Sequence, residues 1–191
     1  MATGSSGSKR TRRRSAAPRV AVLRVGHRVG RDPRLTTHLA LAARALGAER
    51  MYLEPADPAL AARVASLARG WGGTFEVEGV RDWRHVVRTF PGRVVHLTMY
   101  GQPLARALPR LRGTDRVLLV VGGAKVPADL YRLAHANVAV GGQPHSEVAA
   151  VAVVLDRLLG GSDRARFPGA VRRIVPQARG KRVVPTRSGS R

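Results

Sequence analysis

Four arginines, Arg24, Arg28, Arg31 and Arg34, fall within the stretch RVGHRVGRDPRLTTH, interleaved with His27, Asp32, Thr36, Thr37 and His38. Guanidinium groups present planar forks of donors that match phosphate and other oxyanions, and hydroxyls and imidazoles beside them add donors and a proton carrier. A solvated charged loop is the plainer alternative for such a run. Three further stretches have the composition of a ligand site. HLTMYGQP, from His96 to Pro103, ends a β-branched run in Thr98, Met99, Tyr100 and Gly101; VVGGAKVP, from Val120 to Pro127, carries paired glycines after another. The last, VAVGGQPHSEVAAVAVVLDRLL, from Val138 to Leu159, breaks at Gly141 and Gly142 and continues as a long apolar helical pattern. Glycine tolerates positive φ and lets a ligand come close to the backbone, and the helix behind it offers unpaired N–H groups in its first turn.

Several chemistries lose support from what is missing. Neither a G-x-x-x-x-G-K-[ST] phosphate loop nor a G-x-G-x-x-G fingerprint occurs, which argues against a nucleoside triphosphatase and a standard dinucleotide site. The absence of cysteine removes disulfides, thiolate metal sites and a cysteine nucleophile. The six histidines are scattered, none at i, i+4 spacing with a carboxylate ligand, so no metal is expected.

These stretches need elements to position them. Runs with strand character at 19–25, 50–53, 74–77, 93–97, 116–121 and 137–140 alternate with helical spacing over 33–46, 57–69, 82–90, 102–111, 127–135 and 145–159. Alternation of this kind predicts an α/β domain, a mostly parallel sheet flanked by helices, over 19–161. The candidate stretches then lie at strand ends, where open α/β sheets bind ligands. The last helix is apolar nearly all round from Val148 to Leu155, which predicts burial on more than one side and a homodimer through it. That run is far short of the roughly 20 residues a membrane span needs, and no signal-peptide pattern follows the N-terminal arginines. A soluble, cytoplasmic protein with no membrane partner is expected.

Charge is concentrated outside the domain. Of 34 Lys and Arg against 12 Asp and Glu, a formal +22, residues 1–19 and 164–191 supply +15 and residues 20–163 supply +7. Residues 1–18 and 162–191 are rich in Gly, Ser, Pro and Arg, and read as disordered basic arms that seek a polyanion.

GHRVGRDPRLTTH, HLTMYG, VVGGAKVP and NVAVGGQPHSEVAA, taken in order, resemble the motifs of the archaeal tRNA cytidine 2'-O-methyltransferase family of the SPOUT class, which modifies a T-loop cytidine. The similarity runs from about Val20 to Leu159 and leaves both arms out. It implies a C-terminal part threaded as a deep trefoil knot, a homodimer, tRNA as partner and S-adenosylmethionine as methyl donor. Cofactor contacts would come from Leu97, from Gly122, Gly123, Ala124, Lys125 and Val126, and from Val140, Gly141, Gly142, Gln143, Pro144, His145, Ser146 and Glu147. Two departures stand out: Gly123 and Ala124 replace the acidic side chain of VGAEKVP, and Gly142 stands where asparagine is frequent.

Methyl transfer to a ribose hydroxyl needs that hydroxyl positioned and its proton managed. The resemblance points to an arginine of the first motif, with Arg34 leading, then Arg31 and Arg24. An arginine is nearly always protonated and suits a phosphate clamp or stabiliser of the developing alkoxide, whereas His38 or His27 titrates in a range suited to a general base. The alternative from another class is a noncatalytic basic RNA-binding or assembly protein that keeps the fold.

Overall fold

A computed structural model describes residues 17–123, 126–161 and 165–186. Six strands, β1 (Arg19–Val25), β2 (Arg50–Glu54), β3 (Glu76–Gly79), β4 (Arg93–Pro103), β5 (Arg116–Gly122) and β6 (Ala136–Ala139), alternate with α1 (Pro33–Ala45), α2 (Pro58–Trp71), α3 (Trp83–Thr89), α4 (Leu104–Arg112), α5 (Leu130–Leu133) and α6 (Glu147–Leu159). The strands form one sheet in the order β3-β2-β1-β5-β4-β6, and every pairing in it is parallel. β1 and β5, the two strands nearest the middle, are apolar at nearly every position, as strands covered on both faces must be.

The strand order dictates the layers. From β1 to β3 the chain steps outward in one direction, from β3 to β4 it crosses back, and it reverses again at each of the next two steps. For right-handed crossovers each reversal moves the connecting helix to the other face. The core divides accordingly. Leu39, Ala43, Leu60, Val64, Leu104, Leu111, Val151 and Leu155, from α1, α2, α4 and α6, pack with Val20, Val22, Val95, Val117 and Leu119. Trp83, Val87 and Leu130, from α3 and α5, pack with the alternate residues Ala21, Leu23, Val94, Leu118 and Val120.

Helix starts follow capping chemistry. Asp57 accepts the Leu60 N–H at the head of α2, Asp82 the Arg84 N–H at α3, and Ser146 the Val148 N–H at α6, each satisfying a donor that the helix leaves unpaired. Gly160 closes α6 in the left-handed region, where glycine carries no Cβ penalty.

One expectation is corrected. Within the stretch read as a disordered C-terminal arm, β7 (Arg172–Val175) and β8 (Arg182–Pro185) pair as an antiparallel hairpin. Composition averaged over the arm hides the β-branched pairs Ile174–Val175 and Val183–Val184. It also hides a docking site far away in sequence. Gly73 donates its N–H to the Pro168 carbonyl, Arg44 stacks on Phe167 and Arg172 on Trp71, each with 4.8 Å to the ring centroid. A Cβ at Gly72 would stand 2.6 Å from the Phe167 carbonyl oxygen and the Ala170 nitrogen, so a glycine is required where the segment crosses the end of α2. The expected N-terminal arm lies outside the described residues apart from 17 and 18.

Candidate active site at the carboxyl ends of the strands

The turn after β1 is built on His27. Its backbone N–H bonds the Glu54 carbonyl at 2.9 Å. Its buried ring stands between Thr36 Oγ1, 2.9 Å from Nδ1, and Asp57 Oδ2, 3.2 Å from Nε2. The Leu60 N–H and then the His27 ring hold the Asp57 carboxyl below the usual carboxylate range. With both nitrogens engaged and 2% of the residue exposed, His27 ties α1 to α2 and is closed to a substrate.

Arg24, the penultimate residue of β1, is also enclosed. Its guanidinium pairs with Glu147 at the start of α6 and lies 3.7 Å from Asp32 Oδ2. Asp32 in turn takes two bonds from the Arg28 guanidinium, at 3.0 and 2.9 Å, and Arg28 chiefly, with Arg24 adding, holds its carboxyl below the ordinary range. Arg31, Arg34 and His38 are exposed. Arg34 and His38, four apart, fall on one side of the first turns of α1, and Arg31 precedes the helix.

Beside this loop a cavity of about 440 Å³ opens between the ends of β4 and β5 and the start of α6. Leu97, Gly122, Gly123, Val126, His145 and Glu147, all expected from sequence, line it. Val140, Gly141, Gly142, Gln143, Pro144 and Ser146 lie on the β6–α6 loop, exposed except for half-buried Val140. Ala124 and Lys125 lie outside the described residues. Gly141 and Gly142 do not have positive φ, contrary to the usual reason for glycine in such a turn. What distinguishes them and Gly123 is open space: no atom lies within 4 Å of where a Cβ would stand, so a ligand can approach the bare backbone.

The far wall is a network that the sequence does not reveal. His96 Nδ1 and Asn137 Oδ1 are 2.9 Å apart, and Asn137 Nδ2 donates to the Tyr131 carbonyl at 2.9 Å. Because the amide nitrogen is committed to that carbonyl, Nδ1 of His96 carries the proton. Tyr131 packs edge-on to the His96 ring, centroids 4.6 Å apart, and its hydroxyl lies 3.3 Å from Thr98 Oγ1. Burial pushes the His96 imidazole below its ordinary range. Only His96 and Thr98 carry a signal in sequence, at the end of an apolar run; their link to Tyr131 and Asn137 depends on β6 lying beside β4.

Among the described residues no group of three or more His, Asp or Glu is placed to hold a metal, and no helix is long and apolar enough to cross a membrane. A second cavity, about 540 Å³ and lined by Tyr52, Arg81, His85 and Phe90 among others, has neither a glycine loop nor the head of a long helix.

Comparison with known proteins adds the family. The model of the family described as tRNA ribose 2'-O-methyltransferase, aTrm56, matches residues 71–184, so the similarity extends past the strand-end motifs into the hairpin. A tRNA (cytidine(56)-2'-O)-methyltransferase of Cenarchaeum symbiosum is 48% identical over 169 residues, 87% of this chain and 97% of the relative. One of Archaeoglobus fulgidus, with the same name, is 47% identical over 165 residues, 86% of this chain and 98% of the relative. In fold, the SpoU methyltransferase AviRb of Streptomyces viridochromogenes, solved with AdoMet, matches with a TM-score of 0.56 at 16% identity. The alignment covers 80% of this chain and 61% of that one, so the chain spans about three fifths of that solved chain. The fold is thus similar to that of this solved methyltransferase, and the chain belongs to the tRNA ribose 2'-O-methyltransferase family aTrm56.

Proposed function

We propose that this protein is an S-adenosylmethionine-dependent tRNA methyltransferase acting on the ribose 2'-hydroxyl of the T-loop cytidine at position 56, as its relatives are named. The observation that carries the reading is the cavity at the ends of β4 and β5, in a chain that matches these relatives along nearly their whole length. Its volume is within the range of cofactor pockets, and the open backbone at Gly123, Gly141 and Gly142 fits a ligand held by amides and carbonyls. Leu97, Gly122, Gly123, Val126 and the loop from Val140 to Glu147 would hold the cofactor. When bound, it supplies a methyl group on a sulfonium, a good electrophile for an oxygen nucleophile.

The chain's own residues then manage the nucleophile. His38 accepts the 2'-hydroxyl proton on an imidazole nitrogen, being exposed where His27 is locked. Arg34, one turn before it, clamps a phosphate or stabilises the developing alkoxide, with Arg31 beside it. Arg24 serves as a positioning residue, since it is enclosed by Glu147 and Asp32. In the same proposal the protein is a cytoplasmic homodimer and its C-terminal part is a trefoil knot. The half-buried Val148 and Val153 of α6 support the dimer. The β6–α6 chain, crossing back to the face of α1 and α4, supports the knot.

The test is methylation of a tRNA transcript with labelled cofactor. Transcript carrying 2'-deoxycytidine at position 56 should take up no label, while equal labelling of both transcripts would refute the assignment. A folded protein that binds the transcript but has no affinity for S-adenosylmethionine would favour the noncatalytic RNA-binding alternative.

A further inference from the structure

Tyr100 is 79% exposed and Met99 beside it 38%, both on the rim of the cavity. Their exposure is built into the backbone. β4 pairs with β6 through Leu97 and Val138, then leaves the ladder and returns only with Gln102 opposite the same Val138. The residues between, 98–101, form a bulge. Its return leg lies flat on β6 because residue 101 is glycine: a Cβ there would stand 2.4 Å from the Val138 nitrogen. Its outgoing leg is held by Thr98, whose Oγ1 accepts the Tyr100 N–H at 3.4 Å and lies 3.3 Å from the Tyr131 hydroxyl. Bulges next to active sites re-aim a side chain, and this one aims a large aromatic ring outward.

We infer that Tyr100 is the stacking platform for the base of the nucleotide whose ribose enters the cavity. The inference rests on the proposed function. A 2'-hydroxyl can reach a methyl donor in this cavity only if its nucleotide leaves the surrounding stack. An unstacked base loses its neighbours' π contacts and regains them on an aromatic side chain. A ring at the mouth of the cavity, on a chain of net charge +22, meets a polyanion at the place where that base must lie. Stacking ignores base identity, so Tyr100 contributes affinity and orientation while sequence choice is made elsewhere.

The experiment is a cycle between protein and RNA using the full chain. The probe is a T-arm hairpin, intact or abasic at the target nucleotide, with affinity read by fluorescence anisotropy and turnover by labelled methyl incorporation. Tyr100→Leu keeps apolar bulk but removes the π face, and should weaken binding of intact hairpin or lower kcat/KM about tenfold. The abasic hairpin should show a similar loss with wild type and no further loss with Tyr100→Leu. Tyr100→Trp should bind like wild type. S-adenosylmethionine affinity by calorimetry should be the same in all three. Equal abasic penalties in wild type and Tyr100→Leu would overturn the inference. So would dissociation of Tyr100→Leu into a smaller species in sedimentation, which would make the ring a contact with a second copy. The binding arm does not depend on turnover: wild type that binds the hairpin without methylating it would refute the proposed activity and still decide the role of Tyr100.

Discussion

Buried Arg24, at the end of β1, and half-buried Glu147, at the first position of α6, form an ion pair beside the cavity, with Asp32 of the arginine loop 3.7 Å from the same guanidinium. The pair joins the loop that carries Arg31 and Arg34 to the wall that carries His145. Arg24 is 1% exposed, so its charge has no recourse to water.

Removing one member should therefore be costly. Arg24→Met should lower unfolding free energy in urea by about 1–3 kcal/mol, because it leaves the half-buried Glu147 carboxylate without its partner, and Glu147→Leu should cost less, because Asp32 stays 3.7 Å from the guanidinium. The double variant should lose clearly less than the sum. Additive losses would show that the two side chains are not energetically coupled.

The nucleophile has two candidate handlers, His38 for its proton and Arg34 for its developing charge. With His38 as base, His38→Ala should lower the single-turnover rate at saturating cofactor by about 10²-fold or more. Arg34→Lys should retain part of the rate that Arg34→Ala loses, since lysine retains the charge but not the planar fork. An unchanged single-turnover rate in His38→Ala would remove that residue from the mechanism.

Acid should weaken the fold through His96. Burial lowers its folded-state pKa, so the unfolded chain binds the proton more readily. The contribution is complete above the unfolded value near 6.5 and is lost as pH falls from there toward the lowered folded value. The urea midpoint should fall between pH 7 and pH 5.5, and His96→Gln should flatten that fall. A midpoint with the same pH dependence in both proteins contradicts the assignment.

Two glycines should respond in opposite ways. Gly101→Ala forces a Cβ into the β6 backbone and should cost about 1–3 kcal/mol of stability. Gly141→Ala enters open space at ordinary φ and should leave stability within about 0.5 kcal/mol, while weakening cofactor binding by calorimetry. Unaltered affinity for S-adenosylmethionine in Gly141→Ala would place the ligand elsewhere.

Deleting residues 165–191 should do more than remove charge. Without Phe167 the Arg44 guanidinium has no ring to stack on, and without Pro168 the Gly73 N–H has no acceptor, so thermal stability should drop. The log–log salt slope of tRNA binding should flatten by roughly 0.7 to 0.9 for each phosphate the shortened chain no longer neutralises. Identical melting and identical slope would show the segment to be a passive appendage.

Local chemistry is legible in the sequence because it depends on neighbours in the chain. The six strands and six helices follow from alternation and periodicity over a few residues; boundaries differ most at β3, at β4, which runs on through its bulge, and at α5, which is a single turn. Leu97, Gly122, Gly123, Val126, His145 and Glu147 are named by the family resemblance of their stretches, and the parallel sheet places those stretches around one cavity. Which of two similar residues faces solvent is not legible. His27 and His38 look equivalent as residue types, yet one is enclosed by Asp57, thirty positions away, and the other is exposed. Arg24 and Arg34 differ in the same manner, because Glu147 reaches Arg24 only once α6 has returned to the face of α1. The hairpin is hidden by composition because its partners, Trp71 and Gly73, belong to α2 and the turn after it. Sequence by itself determined the elements, the absence of a nucleotide fingerprint, and the short stretches that gather at the strand ends. Tertiary structure alone decided strand order, the pairing of buried charges and the exposure of Tyr100, since each depends on contacts between residues that the chain order keeps apart.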